Sequence, residues 1–256
     1  MNVLNLTQFA SSSSLNSNVG GVVLLLFGPP GSGKGTQSQK ITSWLGIPAI
    51  STGDMLRAEI SSATALGKNA QSIMASGGLV GDDLVNRMLA ERVSRPDCKN
   101  GFLLDGYPRT VAQAEYLDRL VLERRLDKPV ILHLDVPLDA LVGRLTSRRQ
   151  CPVCKRIYNL LQQPPKMPGI CDDDGTPLTT RKDDQEDVVK ERIRTYDEMT
   201  RPVLAHYQDR NYYQIRGDRS PGYIFEEITG ILEPLVSKNG AGGDARRKRA
   251  NGARPS

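Results

Sequence analysis

Residues 22–36 read VVLLLFGPPGSGKGT. The first six, Val22–Phe27, form an unbroken apolar run, as a strand buried on both faces requires. Gly28-Pro29-Pro30-Gly31-Ser32-Gly33-Lys34-Gly35-Thr36 follows and matches G-x-x-x-x-G-K. The pattern predicts a strand, a Gly-rich turn and a helix starting near Gly33. In that context the turn is a phosphate cradle: backbone N–H groups converge on phosphate oxygens and the helix N-terminus adds partial positive charge. Lys34 then reaches toward the β- and γ-phosphates. The residue after Lys34 is Gly35, where the pattern usually has Ser or Thr, so a hydroxyl ligand for Mg²⁺ is missing.

Outward from this stretch, strands and helices alternate. Phe102–Leu104 reads as a short buried strand ending at Asp105, and Val130–Asp135 as another, with Pro137 able to open the next helix. Tyr212–Arg216 reads as a last strand. Residues 51–80 read as helical pieces broken by Gly67 and by Gly77-Gly78. A long helix is expected over about 186–209 and a last one over Tyr223–Val236. Residues 147–184 lose helical periodicity and gain Pro, Gly and Cys. This alternation predicts an α/β fold, a three-layer sandwich with a central parallel sheet. Asp105, at the carboxyl end of its strand, is the acid best placed to hold Mg²⁺ through water.

The 256 residues carry a net charge of +5. Residues 239–256 hold Arg246, Arg247, Lys248, Arg249 and Arg254 against Asp244, leaving about +1 for the rest. Nucleic-acid binding is therefore not the default, and the Gly- and Ala-rich tail is expected to be disordered. No apolar run approaches the roughly 18 residues that span a bilayer. Residues 1–21 carry no charge and show neither a secretory nor a transit pattern, so a flexible extension and a cytoplasmic protein are expected.

Of four cysteines, three lie at 151, 154 and 171. Cys151-x₂-Cys154 and Cys171-x₂-Asp174 are two knuckles separated by sixteen residues. That spacing is a zinc signature, with four protein ligands and so a structural role. Asp172 and Asp173 are adjacent, but the x₂ spacing selects Asp174. A metal would replace a core in a segment with little apolar content. Cys98 stands alone and is expected to be a small buried residue.

The nucleoside monophosphate kinases use the G-K-G-T variant seen at Gly33–Thr36. Ser51–Arg57 (STGDMLR), Gly101–Thr110 (GFLLDGYPRT), Cys151–Tyr158 and Thr180–Asp184 (TRKDD) also resemble the adenylate kinases. The resemblance covers roughly residues 22–235. It implies a P-loop kinase domain over 22–238, with an AMP-binding arm at 51–80 and a zinc-bearing lid at 147–184. It implies reversible phosphoryl transfer from MgATP to AMP giving two ADP, by a monomer. Gly31, Ser32, Gly33, Lys34, Gly35 and Thr36 would hold the ATP phosphates, with Ile157 and Tyr158 near the base and Arg219 on the same side. Thr52, Arg57, Gly78, Leu79, Val80, Gly106, Tyr107, Pro108, Arg109 and Gln113 would bind AMP, with Gln113 reading adenine. Arg144, Arg148, Arg181 and Arg192 would clamp the phosphates. Arg192 also stands out on its own: three residues after Val189 and four before Tyr196, it borders an apolar helix face, and a half-buried arginine wants an anion. The nucleophile would be an ionised phosphate oxygen, so His133 and His206 are expected to be structural. Rival readings are a UMP, CMP or GMP kinase, or a nucleotide-dependent RNA-binding protein using the basic tail.

Overall fold

The computed structural model describes residues 21–250, and their side chains except at Asp139 and over 237–250. Strand β1 (Val22–Phe27) is buried along its whole length. It is flanked in parallel by β3 (Gly101–Asp105) and β4 (Val130–Asp135). The five-stranded parallel sheet is completed by β2 (Ala49–Ser51) beside β3 and β7 (Asn211–Arg216) beside β4, in the order β2-β3-β1-β4-β7.

Alternate residues of β1 feed opposite faces, which is why the strand must be apolar throughout. Val23, Leu25 and Phe27 pack with helices α4 (Asp82–Val93), α5 (Val111–Glu123) and α8 (Arg201–Tyr207). Val22, Leu24 and Leu26 pack with α1 (Lys34–Leu45) and α9 (Pro221–Ala250). The result is the expected three-layer sandwich, with the carboxyl ends of the strands opening toward the Gly-rich turn.

Two segments are added to this body, the first joining its core through Leu56 and Ala70. Helices α2 (Thr52–Ser61) and α3 (Ala65–Ala75) pack on each other after β2. The break between them falls at Ser62–Thr64 and not at Gly67, which lies inside α3. Gly67 is glycine for another reason: a Cβ there would collide with the Glu59 carbonyl of α2. The second segment follows α6 (Leu138–Thr146) and contains an antiparallel pair, β5 (Arg148–Gln150) and β6 (Ile157–Asn159), invisible to helical periodicity.

The long helix expected over 186–209 is α7 (Glu186–Thr195), a π-helical turn at Tyr196–Thr200, and α8. The last helix is longer than expected. It is helical through Ala250, a stretch that includes part of the expected tail. The expected N-terminal extension, apart from Gly21, and residues 251–256 lie outside the described residues. Among the described residues no helix is long and apolar enough to cross a membrane.

Candidate active site

The turn after β1 is held by Ser32 N–H donating to the Pro29 carbonyl (3.1 Å). Gly31 and Gly33 have φ of 85° and 94°, the left-handed region that glycine enters without strain. Gly33 caps α1 with no side-chain hydrogen bond, so the first N–H groups of that helix remain for a ligand. Lys34 lies back across the turn, donating to the carbonyls of Gly28 (2.7 Å) and Pro29 (3.0 Å). Ser32 Oγ is buried without a partner.

This turn forms one wall of a cavity of about 580 Å³. The far wall is built by the start of α2, the end of α3 and the β3–α5 connection. Ser51 caps α2 by accepting from Asp54 N (3.2 Å), and Thr52 Oγ1 ties α2 to the Gly106 carbonyl (2.9 Å). Arg109 Nε donates to the same carbonyl (2.7 Å), and Thr200 in the π-turn donates to the Arg109 carbonyl (3.1 Å). Gln113 is buried; its Oε1 accepts from Arg109 N (2.8 Å) and its Nε2 donates to Asp82 (2.7 Å). An amide has two donor hydrogens and two acceptor lone pairs, so one of each remains.

Between the walls the cavity is strongly cationic. Arg148 forms a bidentate pair with the buried Asp184 (2.8 and 2.5 Å), and Arg192 reaches Asp183 (3.1 Å) and Asp184 (3.2 Å). Arg57 pairs with Asp54 (2.7 Å), and Arg181 Nε donates to Gln150 (2.7 Å). Arg144 donates to the Gly217 carbonyl (2.9 Å), while its Nε is buried and unpartnered.

These cations are under electrostatic load. Burial pulls Lys34 down to about 8, opposed by Asp105 and reinforced by Arg109, Arg192 and Arg148. Arg109 falls to about 10 through burial and then Arg192. Arg181 falls to about 10 through burial and then Arg148 and Arg57. Burial raises Asp105 above the usual carboxylate range, though Lys34 pulls the other way. A site in which cations depress one another binds anions.

The second segment has its own small centre. Cys151 and Cys171 are buried beside Tyr158, with Leu178 packed against them. The ligand atoms of Cys151, Cys154, Cys171 and Asp174 lie within 4.8 Å of one another. Cys154 Sγ and Cys171 Sγ are 3.5 Å apart, and Cys151 Sγ is 3.3 Å from Asp174 Oδ2. A tetrahedral centre with metal–sulfur bonds of about 2.3 Å has edges of roughly 3.5–3.8 Å, so the spacing of the four side chains is compatible with a metal site. Asp172 and Asp173 are engaged otherwise: Arg156 pairs with both, and Asp172 accepts from Lys166 N (2.8 Å). The Tyr158 hydroxyl accepts from Asp172 N (2.7 Å) and donates to Cys171 Sγ (3.5 Å), linking the cluster to the cavity wall.

The residues expected around the nucleotides line the cavity, Asp105 and Arg219 included, with one correction. Tyr107 points away into the core, where its hydroxyl bonds Asn86 (2.5 Å) and the Gln113 carbonyl (3.2 Å). Its neighbours Gly106 and Pro108 line the cavity while its ring anchors the turn. Arg219 reaches the cavity but is held by Glu227 and the Arg216 carbonyl (3.2 Å). His133 lies against Tyr212 (2.7 Å) and His206 against Asp118 (2.8 Å), both outside the cavity. Cys98 is buried, as expected. The sequence reading gave no role to Asp82, Asp183, Asp184 or Thr200. Asp183 and Asp184 sit inside TRKDD, where two acids beside an arginine were the available signal. Thr200 carried none.

A Gly-rich turn at the carboxyl end of a parallel sheet, facing a cavity lined by a lysine and arginines, defines a P-loop phosphate-binding protein. The family model described as adenylate kinase matches residues 26–212, and the chain belongs to that family. It is similar to the adenylate kinase of Oceanobacillus iheyensis, 47% identical over 211 residues that cover 82% of this chain and 98% of that one. Against that of Anaeromyxobacter dehalogenans it is 49% identical over 191 residues, covering 74% and 88%. Against that of Archaeoglobus fulgidus it is 42% identical over 215 residues, covering 84% and 99%.

Proposed function

We propose that this chain transfers a phosphoryl group between MgATP and AMP, reversibly, giving two ADP. The observation that carries this reading is the gathering of Lys34, Arg57, Arg109, Arg144, Arg148, Arg181 and Arg192 on one cavity between the Gly-rich turn and the α2–α3 segment. ATP and AMP together bring roughly six negative charges, counting about two on each terminal phosphate. The attacking AMP oxygen is already ionised at neutral pH, so no base is required. Positioning and charge neutralisation suffice.

In this reading the ATP phosphates take the free N–H groups at the start of α1 and the Lys34 ammonium, which leaves its carbonyl partners. AMP lies against Thr52, Arg57, Gly106 and Arg109, with its base at Gln113. Arg144, Arg148, Arg181 and Arg192 face the transferring phosphoryl from the side of β5–β6 and α7. Mg²⁺, bound with ATP, would neutralise phosphate charge. Asp105 suits it, a half-buried carboxylate on the cavity with no side-chain hydrogen bond among the described residues, able to hold the ion through water. Segment 147–184 acts as a lid that excludes water, and 51–80 as the AMP-binding arm. Three thiolates and one carboxylate at tetrahedral separations suit structural zinc, which stands in for the core this lid lacks.

The test is a coupled assay with MgATP against AMP, UMP, CMP, GMP and dAMP. AMP should be favoured by a large factor, because a site that hydrogen-bonds a base rejects analogues that leave its groups unpaired. Equal rates with UMP or CMP would overturn the assignment. Lys34→Ala and Arg109→Ala should each lower kcat about 100-fold or more, by analogy with losing a preorganised donor.

A further inference from the structure

The orientation of the Gln113 amide is fixed by two partners that admit only one arrangement. Its Oε1 faces the Arg109 backbone N–H (2.8 Å), a group that can only donate. Its Nε2 faces Asp82 Oδ1 (2.7 Å), a carboxylate that when ionised can only accept. A flipped amide would set N–H against N–H and lone pair against lone pair. Asp82 is itself held: its Oδ2 accepts from Thr110 Oγ1 (2.7 Å), and the same hydroxyl caps α5 by accepting from Gln113 N (3.2 Å). It sits in the first turn of α4, where a helix N-terminus favours a negative charge. Asp82 itself does not line the cavity, whereas Gln113 does.

We propose that Asp82 is a positioning residue that sets base specificity by locking the Gln113 amide, so that the site accepts a 6-aminopurine and rejects a 6-oxopurine. This deepens the reading in which Gln113 meets the base, and it rests on that reading. The locked amide offers one acceptor lone pair and one N–H. Adenine presents a donor at its 6-amino group and an acceptor at N1, which complements that pair. Hypoxanthine presents an acceptor at O6 and a donor at N1–H, the inverse pattern. Only a flipped amide would satisfy it, and Asp82 with Arg109 N–H forbids the flip. Thr110 adds a second restraint by keeping the carboxylate from rotating away. Asp82→Asn removes half of the lock, because an Asn amide can donate as well as accept.

The experiment compares kcat/KM for AMP with kcat/KM for IMP in wild type, Asp82→Asn and Gln113→Ala. Melting curves for each variant accompany the rates. Asp82→Asn should lower the AMP-to-IMP ratio about tenfold, the scale of one hydrogen bond, mainly through KM for AMP and improved use of IMP. Gln113→Ala should lower the ratio at least as much. If Gln113→Ala collapses the ratio and Asp82→Asn leaves it within about twofold, the lock is refuted and base reading by Gln113 stands. If neither changes it, the base does not meet Gln113 and both readings fall. An equal loss for AMP and IMP in Asp82→Asn would mean a merely structural role and would also refute the lock. Should Asp82→Asn not fold, Thr110→Val must lower the ratio while Thr110→Ser preserves it; equal ratios in the two overturn the proposal.

Discussion

Replacing Asp184 by Asn should destabilise the protein, and by an amount the geometry bounds. The Asp184 side chain is fully buried and accepts from Arg148 at 2.8 and 2.5 Å and from Arg192 at 3.2 Å. Arg148 and Arg192 are themselves only 15% and 20% exposed. Breaking such a pair leaves buried guanidinium charge uncompensated, at about 3–5 kcal/mol. Two features reduce that. Asn keeps one acceptor, worth about 1 kcal/mol, and Arg192 keeps Asp183 at 3.1 Å. A loss of about 2–3 kcal/mol remains, which for a chain of this size is a fall in Tm of roughly 4–12 °C. The assay is thermal unfolding of the variant with and without saturating ATP and AMP. If the two carboxylates hold the arginines where phosphates will later sit, bound nucleotides should supply the missing negative charge. The Tm difference between variant and wild type should then shrink in their presence. A fall in Tm below about 2 °C would refute the reasoning, as would a gap that widens on adding nucleotide, because then Asp184 does not compete with phosphate for these arginines.

Three further outcomes follow from the geometry. Burial holds Lys34 near pH 8 in the free protein, so its charged form is full below that value and lost above it. ATP affinity should fall by up to about tenfold per pH unit above pH 8, and a titration calorimetry series in which Lys34→Met shows the same pH dependence would contradict this. Chelation of the cluster at Cys151, Cys154, Cys171 and Asp174 should release about one zinc per chain and lower Tm while the sheet stays folded. Elemental analysis showing substoichiometric zinc, with an unchanged melting curve, would make the cysteines incidental. Gly67→Ala should cost about 1–3 kcal/mol, since the added methyl meets the Glu59 carbonyl and neither backbone can yield cheaply; an unchanged Tm would refute the steric account.

The parts of the fold that were legible in sequence are those whose signal is local. Val22–Phe27 is a continuous apolar run and Val130–Leu134 is apolar but for His133, as strands buried on both sheet faces require. Strand β2 was missed because Ala49–Ser51 is three residues at the sheet edge and is buried only in part. The β5–β6 pair was missed because Arg148–Gln150 is polar and Ile157–Asn159 is three residues long, so neither carries an apolar pattern. Gly67 was read as a breaker because sequence shows its missing side chain and not the carbonyl of another helix beside it. The same distinction separates the site residues. Lys34 is fixed by a turn motif of nine residues, whereas Asp82 meets Gln113 across 31 positions and Thr110 across 28. No spacing rule reaches that far.

The arginines show why such a pairing pattern matters for a transfer enzyme. Before substrates bind, Arg57, Arg148 and Arg192 face Asp54, Asp183 and Asp184, and Lys34 and Arg144 face backbone carbonyls. Each cation is therefore partly neutralised, yet none is so well satisfied that a phosphate cannot compete, because a dianion offers more charge than one carboxylate or carbonyl. Burial meanwhile pulls Lys34, Arg109 and Arg181 down, which shows that the internal partners fall short of full compensation. The residual positive charge keeps the folded site in want of anions. At the exposed Arg194, where burial scarcely opposes Glu191 and Glu198, the shift is upward instead.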